Sequence, residues 1–146
     1  GQKMLFFIKQ AAKMFAELSE RNRRNNKPDV LMHGDLHHYN ILQGKDGWRV
    51  IDPKGVFGPR SMEPAPFILN QFEFNQKESS ISIDDMVRIF HEQTGEPVRE
   101  LAISTFVFSV MSVTWHYEQE QLPSPAELDE MHRQIDVCYD FALQQN

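Results

Sequence analysis

Near the start of the chain, apolar residues recur at three- and four-residue spacing: Met4, Ile8, Ala11, Phe15 and Leu18. Lys9, Lys13 and Glu17 fall elsewhere on the wheel. This spacing predicts an amphipathic helix over residues 3–21. The polar run Arg21-Asn22-Arg23-Arg24-Asn25-Asn26-Lys27-Pro28 ends it, and its cations suit a solvated helix C-terminus. Val30-Leu31-Met32 is then too short for a helix and reads as a strand, followed by a polar loop from His33 to Asn40. Ile41-Leu42-Gln43 and Trp48-Arg49-Val50-Ile51 flank a turn rich in Gly and Asp, the pattern of a β-hairpin. Pro53, Gly55, Gly58 and Pro59 mark a long irregular segment.

The second half reads as helices. A short one covers Pro64 to Phe72, and another starts after Ser82, runs through Phe90 and closes at Gly95. From Pro97 to about Glu118 the apolar residues occupy most faces, which marks a buried helix. Ser124-Pro125-Ala126-Glu127 combines an N-cap, a Pro at the first helical position and a capping-box acid. Leu128, Met131, Ile135, Cys138 and Ala142 then form one stripe. The fold class expected is α+β: mainly helical, with one small hairpin.

Composition adds little to that picture and narrows the function classes. The 146 residues suffice for one substantial core, 40% are hydrophobic, and no apolar run approaches the roughly 18 residues a membrane span needs. A single cysteine, Cys138, excludes an intramolecular disulfide framework and suits a reducing, cytoplasmic compartment. The formal net charge of −6 argues against a nucleic-acid partner and mildly favours a cationic small molecule.

The chemistry lies in His33-Gly34-Asp35-Leu36-His37-His38-Tyr39-Asn40 and the hairpin that follows it. A hairpin brings its two ends together, so Asn40 and Asp52 are expected to be neighbours. One carboxylate and one amide oxygen suit Mg²⁺, a hard cation that keeps several waters and borrows phosphate oxygens. Asp35, a little upstream, is left free to face a hydroxyl. Asp and Asn are also common turn formers, but that reading leaves unexplained why both halves of a metal site occur together.

This is the order of parts in the phosphoryl-transfer template. Protein kinases write it H-R-D-x-x-x-x-N and then D-F-G; here it is H-G-D-L-H-H-Y-N and then I-D-P. The glycine in second place resembles the aminoglycoside phosphotransferases. With Val50 to Gly55, Met62-Glu63-Pro64-Ala65 and Phe67-Ile68-Leu69-Asn70, the segment from about 30 to 70 resembles their streptomycin and hydroxyurea branch. The resemblance implies the C-terminal lobe of a protein-kinase-like fold, its hairpin carrying the metal residues. It also implies ATP and Mg²⁺ as cofactors and a small-molecule hydroxyl acceptor of the aminoglycoside type. Asp35 would be the base, Asn40 and Asp52 the metal ligands, and Leu42 and Ile51 the floor beneath the adenine. His33 would brace the loop, and Glu63 would hold it from below by hydrogen bonding. No role follows for His37, His38 or Lys54, and Arg60 departs from the acidic or small residue the resemblance leads one to expect.

The same template calls for a phosphate-covering loop and a strand lysine. This sequence has no G-x-G-x-x-G, and Lys13 lies in the first helix, so the N-terminal nucleotide lobe is expected to be absent from this chain. The chain alone would then be inactive, and its exposed nucleotide face would favour self-association. Two other classes compete. His33, Asp35, His37 and His38 could form the metal cluster of a hydrolase, or the lobe could be a non-catalytic binding module.

Overall fold

The computed structural model describes residues 1–74, 81–118 and 122–145. Among them are five helices and four short strands. The helices are α1 (Gln2–Arg24), α2 (Ala65–Phe74), α3 (Ile83–Thr94), α4 (Val98–Tyr117) and α5 (Pro125–Gln144). The strands are β1 (Val30–Met32), β2 (Ile41–Gly44), β3 (Gly47–Val50) and β4 (Val56–Gly58). The architecture is α+β, as expected from the pattern.

α4 is the centre of the molecule and packs against α1, α2, α3 and α5. It is buried almost all round from Glu100 to Val110, which is what a helix without a polar face requires. By length and composition α4 could cross a membrane, yet 67% of its most apolar window is buried inside the molecule, so it serves as the core helix. Its buried hydroxyls are paired: Thr105 donates to the carbonyl of Leu101, Ser109 to that of Phe106, and the hydroxyls of Ser104 and Ser61 meet at 2.8 Å. Phe7 of α1, Phe106 of α4 and Tyr139 of α5 join the three helices in one aromatic cluster, with ring centroids 5.1–6.2 Å apart. Cys138 is buried beside it, and burial pushes its thiol up to about 12 against a smaller opposing hydrogen bond from Ser109.

The helix ends follow local chemistry. Ser82 and Ser124 each accept from a backbone N–H three residues on, and Asp85 and Glu127 complete the two capping boxes. Gly95 closes α3 with φ +76°, the left-handed conformation that suits glycine. α1 runs on through the basic run to Arg24, where Arg23 and Arg24 pair with Glu20 one turn back. Lys27 then reaches Glu96 and Glu100, both buried, at 2.8 and 2.7 Å, tying the end of α1 to the α3–α4 junction.

Two details of the sequence reading change. The stretch after Pro53 is not wholly irregular: β4 pairs antiparallel with β1, Val30 opposite Gly58 and Met32 opposite Val56. In α1, Phe7 and Met14 are buried, whereas Ile8 is exposed and Phe15 only half-buried. The run Leu5-Phe6-Phe7-Ile8 is apolar in every direction, so spacing alone could not choose the inward face.

Candidate functional site

The loop from His33 to Asn40 leaves β1 and enters β2 through a short 3₁₀ turn at His38–Asn40. Backbone and side-chain hydrogen bonds hold it from three directions. From below, the Glu63 carboxylate accepts the backbone N–H of His33 at 2.8 Å and of Gly34 at 3.2 Å. A carboxylate engaging two amides is a strong clamp, because charge-assisted hydrogen bonds exceed neutral ones. From the side, His33 Nε2 donates to the carbonyl of Ile51 at 2.6 Å, while its Nδ1 accepts the N–H of Asp35 at 3.2 Å. The two bonds together require the neutral ring with its proton on Nε2. From behind, the carbonyl of His33 accepts the N–H groups of Lys54 and Gly55. One residue therefore ties the loop to the segment after β3.

Gly34 is required on two grounds. Its φ is +86°, and a Cβ there would lie 2.7 Å from Val56 Cγ2 and 3.2 Å from Lys54 Cβ. The β1–β4 pairing missed in the sequence is what brings Val56 against it.

Asn40 is buried, and its Nδ2 donates to the carbonyl of Asp35 at 3.0 Å, with His37 Nε2 3.2 Å away. The amide nitrogen is thus occupied on the protein side, which leaves Oδ1 as the acceptor of that side chain. The N–H of Ile51 donates to the carbonyl of Asn40, extending the β2–β3 ladder by one rung. Asp52, the next residue, is exposed and has φ +54°, a left-handed backbone that most side chains avoid and that Asp tolerates better than most. Such outliers persist where surrounding structure enforces them and cluster at working sites. An amide and a carboxylate are donor types that suit Mg²⁺, which takes few protein ligands, and the backbone pairing of Asn40 with Ile51 puts Asn40 and Asp52 close in the chain's path. Among the described residues, no group of three or more His, Cys, Asp or Glu could hold a metal ion, as the zinc cluster of a hydrolase would require.

Asp35 is half-buried, and its carboxylate lies 3.7 Å from His37 Nε2. No spacing rule identifies His37 as a neighbour of both Asp35 and Asn40; the 3₁₀ turn brings it there. Side chains alternate along β2 and β3, so with Leu42 opposite Arg49, Leu42 and Ile51 share one face of the hairpin. Both are exposed, 47% and 37%, as is Trp48 on the other face. Lys54 and Arg60 are exposed, and Lys54, like Asp35, lines a cavity of about 920 Å³ between α1, α4 and the β1–β4 ribbon.

Set beside known proteins, residues 7–120 match the family model described as aminoglycoside/hydroxyurea antibiotic resistance kinase. That span takes in most of α1, the whole loop and hairpin, and the three helices after them, so the chain belongs to this family of kinases. It is similar to a streptomycin 3''-kinase of Klebsiella pneumoniae, 48% identical over 40 residues. The match spans 27% of this chain and about 15% of that relative's length. No solved structure matches.

Proposed function

We propose that residues 1–146 form the C-terminal, catalytic-loop lobe of a kinase-like phosphotransferase that moves the γ-phosphoryl group of ATP to a hydroxyl of a small molecule. The observation that supports this reading is the fixed pose of Asn40: its amide nitrogen donates to the carbonyl of Asp35, and its backbone carbonyl accepts the N–H of Ile51, the residue before the exposed Asp52. In this reading Asp35 is the base. It accepts the proton of the acceptor hydroxyl as that oxygen bonds to the γ-phosphorus. The bond from phosphorus to the β–γ bridging oxygen breaks, and ADP leaves. Asn40 and Asp52 would hold Mg²⁺, which would supply neutralisation of charge on the phosphate oxygens. Leu42 and Ile51, on one exposed hairpin face, provide an apolar floor for the adenine. His33 and Glu63 position Asp35 without touching substrate. The family description makes aminoglycosides the first acceptors to test, and the reducing cytoplasm, which suits the lone cysteine, the expected compartment.

The phosphate-covering loop and strand lysine of the template would be supplied by a nucleotide lobe outside these residues. On this reading the 146 residues alone do not transfer phosphate, and activity requires that lobe, in cis or added in trans. With the lobe present, Asp35→Asn should lower turnover by about 10²–10⁴-fold, the usual worth of a positioned base, with nucleotide affinity little changed. Asp52→Ala should weaken Mg²⁺–ATP binding, and Asn40→Ala should do so less, because a carboxylate carries charge and an amide only a dipole. Near-normal turnover in Asp35→Asn, or an unchanged Mg²⁺ requirement in both metal-side variants, would overturn the assignment.

A further inference from the structure

The side-chain amide of Asn40 has two hydrogens to give, and the loop offers two acceptors. One is the carbonyl of Asp35, 3.0 Å from Nδ2, and the other is Nε2 of His37 at 3.2 Å. The Asp35 carbonyl can only accept, so it decides which end of the amide faces the loop: turned over, Oδ1 would meet another oxygen. With Nδ2 held there, His37 Nε2 must accept the second bond, and the neutral ring then carries its proton on Nδ1. This is the opposite tautomer from that of His33, whose Nε2 donates. Resting on the reading of Asn40 as a metal ligand, we propose that neutral His37 is a positioning residue for phosphotransfer. It takes the second hydrogen of Asn40 Nδ2 and so keeps Oδ1 as the end of the amide available to the metal.

The backbone prepares this contact. The N–H of His37 donates to the Asp35 carbonyl at 2.9 Å, and the His37 carbonyl accepts the N–H of Asn40 at 3.0 Å, so the ring springs from a backbone already tied to both site residues. The same tautomer leaves the base alone. Nε2 lies 3.7 Å from the Asp35 carboxylate, beyond hydrogen-bond reach, and a nitrogen that accepts from Asn40 has no proton to offer it. Asp35 therefore keeps its lone pairs for an acceptor hydroxyl. The other ring nitrogen argues against a mere filler: Nδ1 is buried and has no hydrogen-bond partner among the described residues. A buried donor left unpaired costs stability, and an apolar ring would fill the same space without that cost. What the imidazole supplies in return is the acceptor at Nε2.

The tautomer can be read on the 146-residue chain from nitrogen–proton correlation spectra of the imidazole, without nucleotide or metal, at about pH 8.5, where an ordinary imidazole is neutral. The expected spectrum has the proton on Nδ1, a bare Nε2, and a coupling across the hydrogen bond between Nε2 and Asn40 Nδ2. A proton on Nε2, or Asn40 amide hydrogens that exchange as fast as those of an exposed asparagine, overturns the proposal. Two variants test the consequence in the enzyme with its nucleotide lobe. His37→Phe keeps a ring but removes the acceptor, and should raise the Mg²⁺ concentration for half-maximal activity about tenfold, the low end of what partners of metal ligands are worth. Turnover at saturating Mg²⁺ should change far less. His37→Gln places an amide oxygen near the position of Nε2 and should restore the Mg²⁺ requirement to within about twofold of the parent. No change in His37→Phe, or equal losses in both variants, overturns the proposal, and the spectrum of the parent decides even if His37→Phe does not fold. Because that spectrum involves no ATP, its failure leaves the kinase reading standing. An unchanged Mg²⁺ requirement in both Asn40→Ala and Asp52→Ala removes the metal-side reading and this proposal with it.

Discussion

The helical body and the loop–hairpin segment are held together by different means. Around α4, large side chains such as Phe7, Leu18, Phe106 and Ile135 are almost wholly removed from water. Between Val30 and Glu63, by contrast, few side chains are buried, every residue from Leu42 to Phe57 is exposed, and the backbone is placed by specific bonds to Glu63, His33 and Asn40. Apolar burial is non-directional and tolerates small shifts. Hydrogen bonds to fixed backbone groups set position to a few tenths of an ångström. The body thus contributes stability, and the loop contributes geometry at little hydrophobic gain of its own.

Breaking each half should therefore produce a different signature. Phe106→Ala removes the ring shared by three helices and should cost about 3–5 kcal/mol, read as a lower urea midpoint with little change in slope. A loss below about 1 kcal/mol would show that the aromatic cluster does not anchor the body. Glu63→Gln keeps the shape of the clamp but replaces one acceptor oxygen with an amide that faces a backbone N–H. It should cost about 1–3 kcal/mol. Amide exchange should speed up at His33 and Gly34 well before it changes in α4; uniform acceleration would mean that the loop and the body unfold as one unit. Trp48→Ser, on the exposed tip of the hairpin, should stay within about 0.5 kcal/mol of the parent. A larger loss would make the hairpin part of the core and erase the contrast.

The same contrast explains what the sequence made legible. Helix positions followed from spacing, and helix ends from Ser82, Gly95, Ser124 and Pro125, because those signals act within four residues. The loop residues Asp35, Asn40 and Asp52 stood out by order and by resemblance. Their mutual geometry did not, because it depends on bonds between residues far apart in sequence, such as His33 to Ile51 and Gly34 to Glu63. β4 was missed since three residues between Gly55 and Pro59 give no periodicity to read. α1 misled for the opposite reason: it carries two apolar faces. Met4, Phe7, Ala11, Met14 and Leu18 are buried, while Ile8, Ala12 and Phe15, with Ala11 at the edge, line the cavity. A stripe drawn through Ile8 and Phe15 mixed the buried face with the face that lines the cavity.

Gly34 also limits how this loop could change over time. The protein-kinase spelling of the motif has arginine where this chain has glycine. Exchanging one for the other looks like a single step, but the backbone at φ +86° disfavours any side chain, and the space beside it is already filled by Val56. An arginine could enter only after Val56 had become smaller and the turn had been rebuilt, so the intermediate sequences would carry a damaged loop. The two spellings are separate solutions divided by a barrier, and a single-site mutational search started from this chain would not cross it.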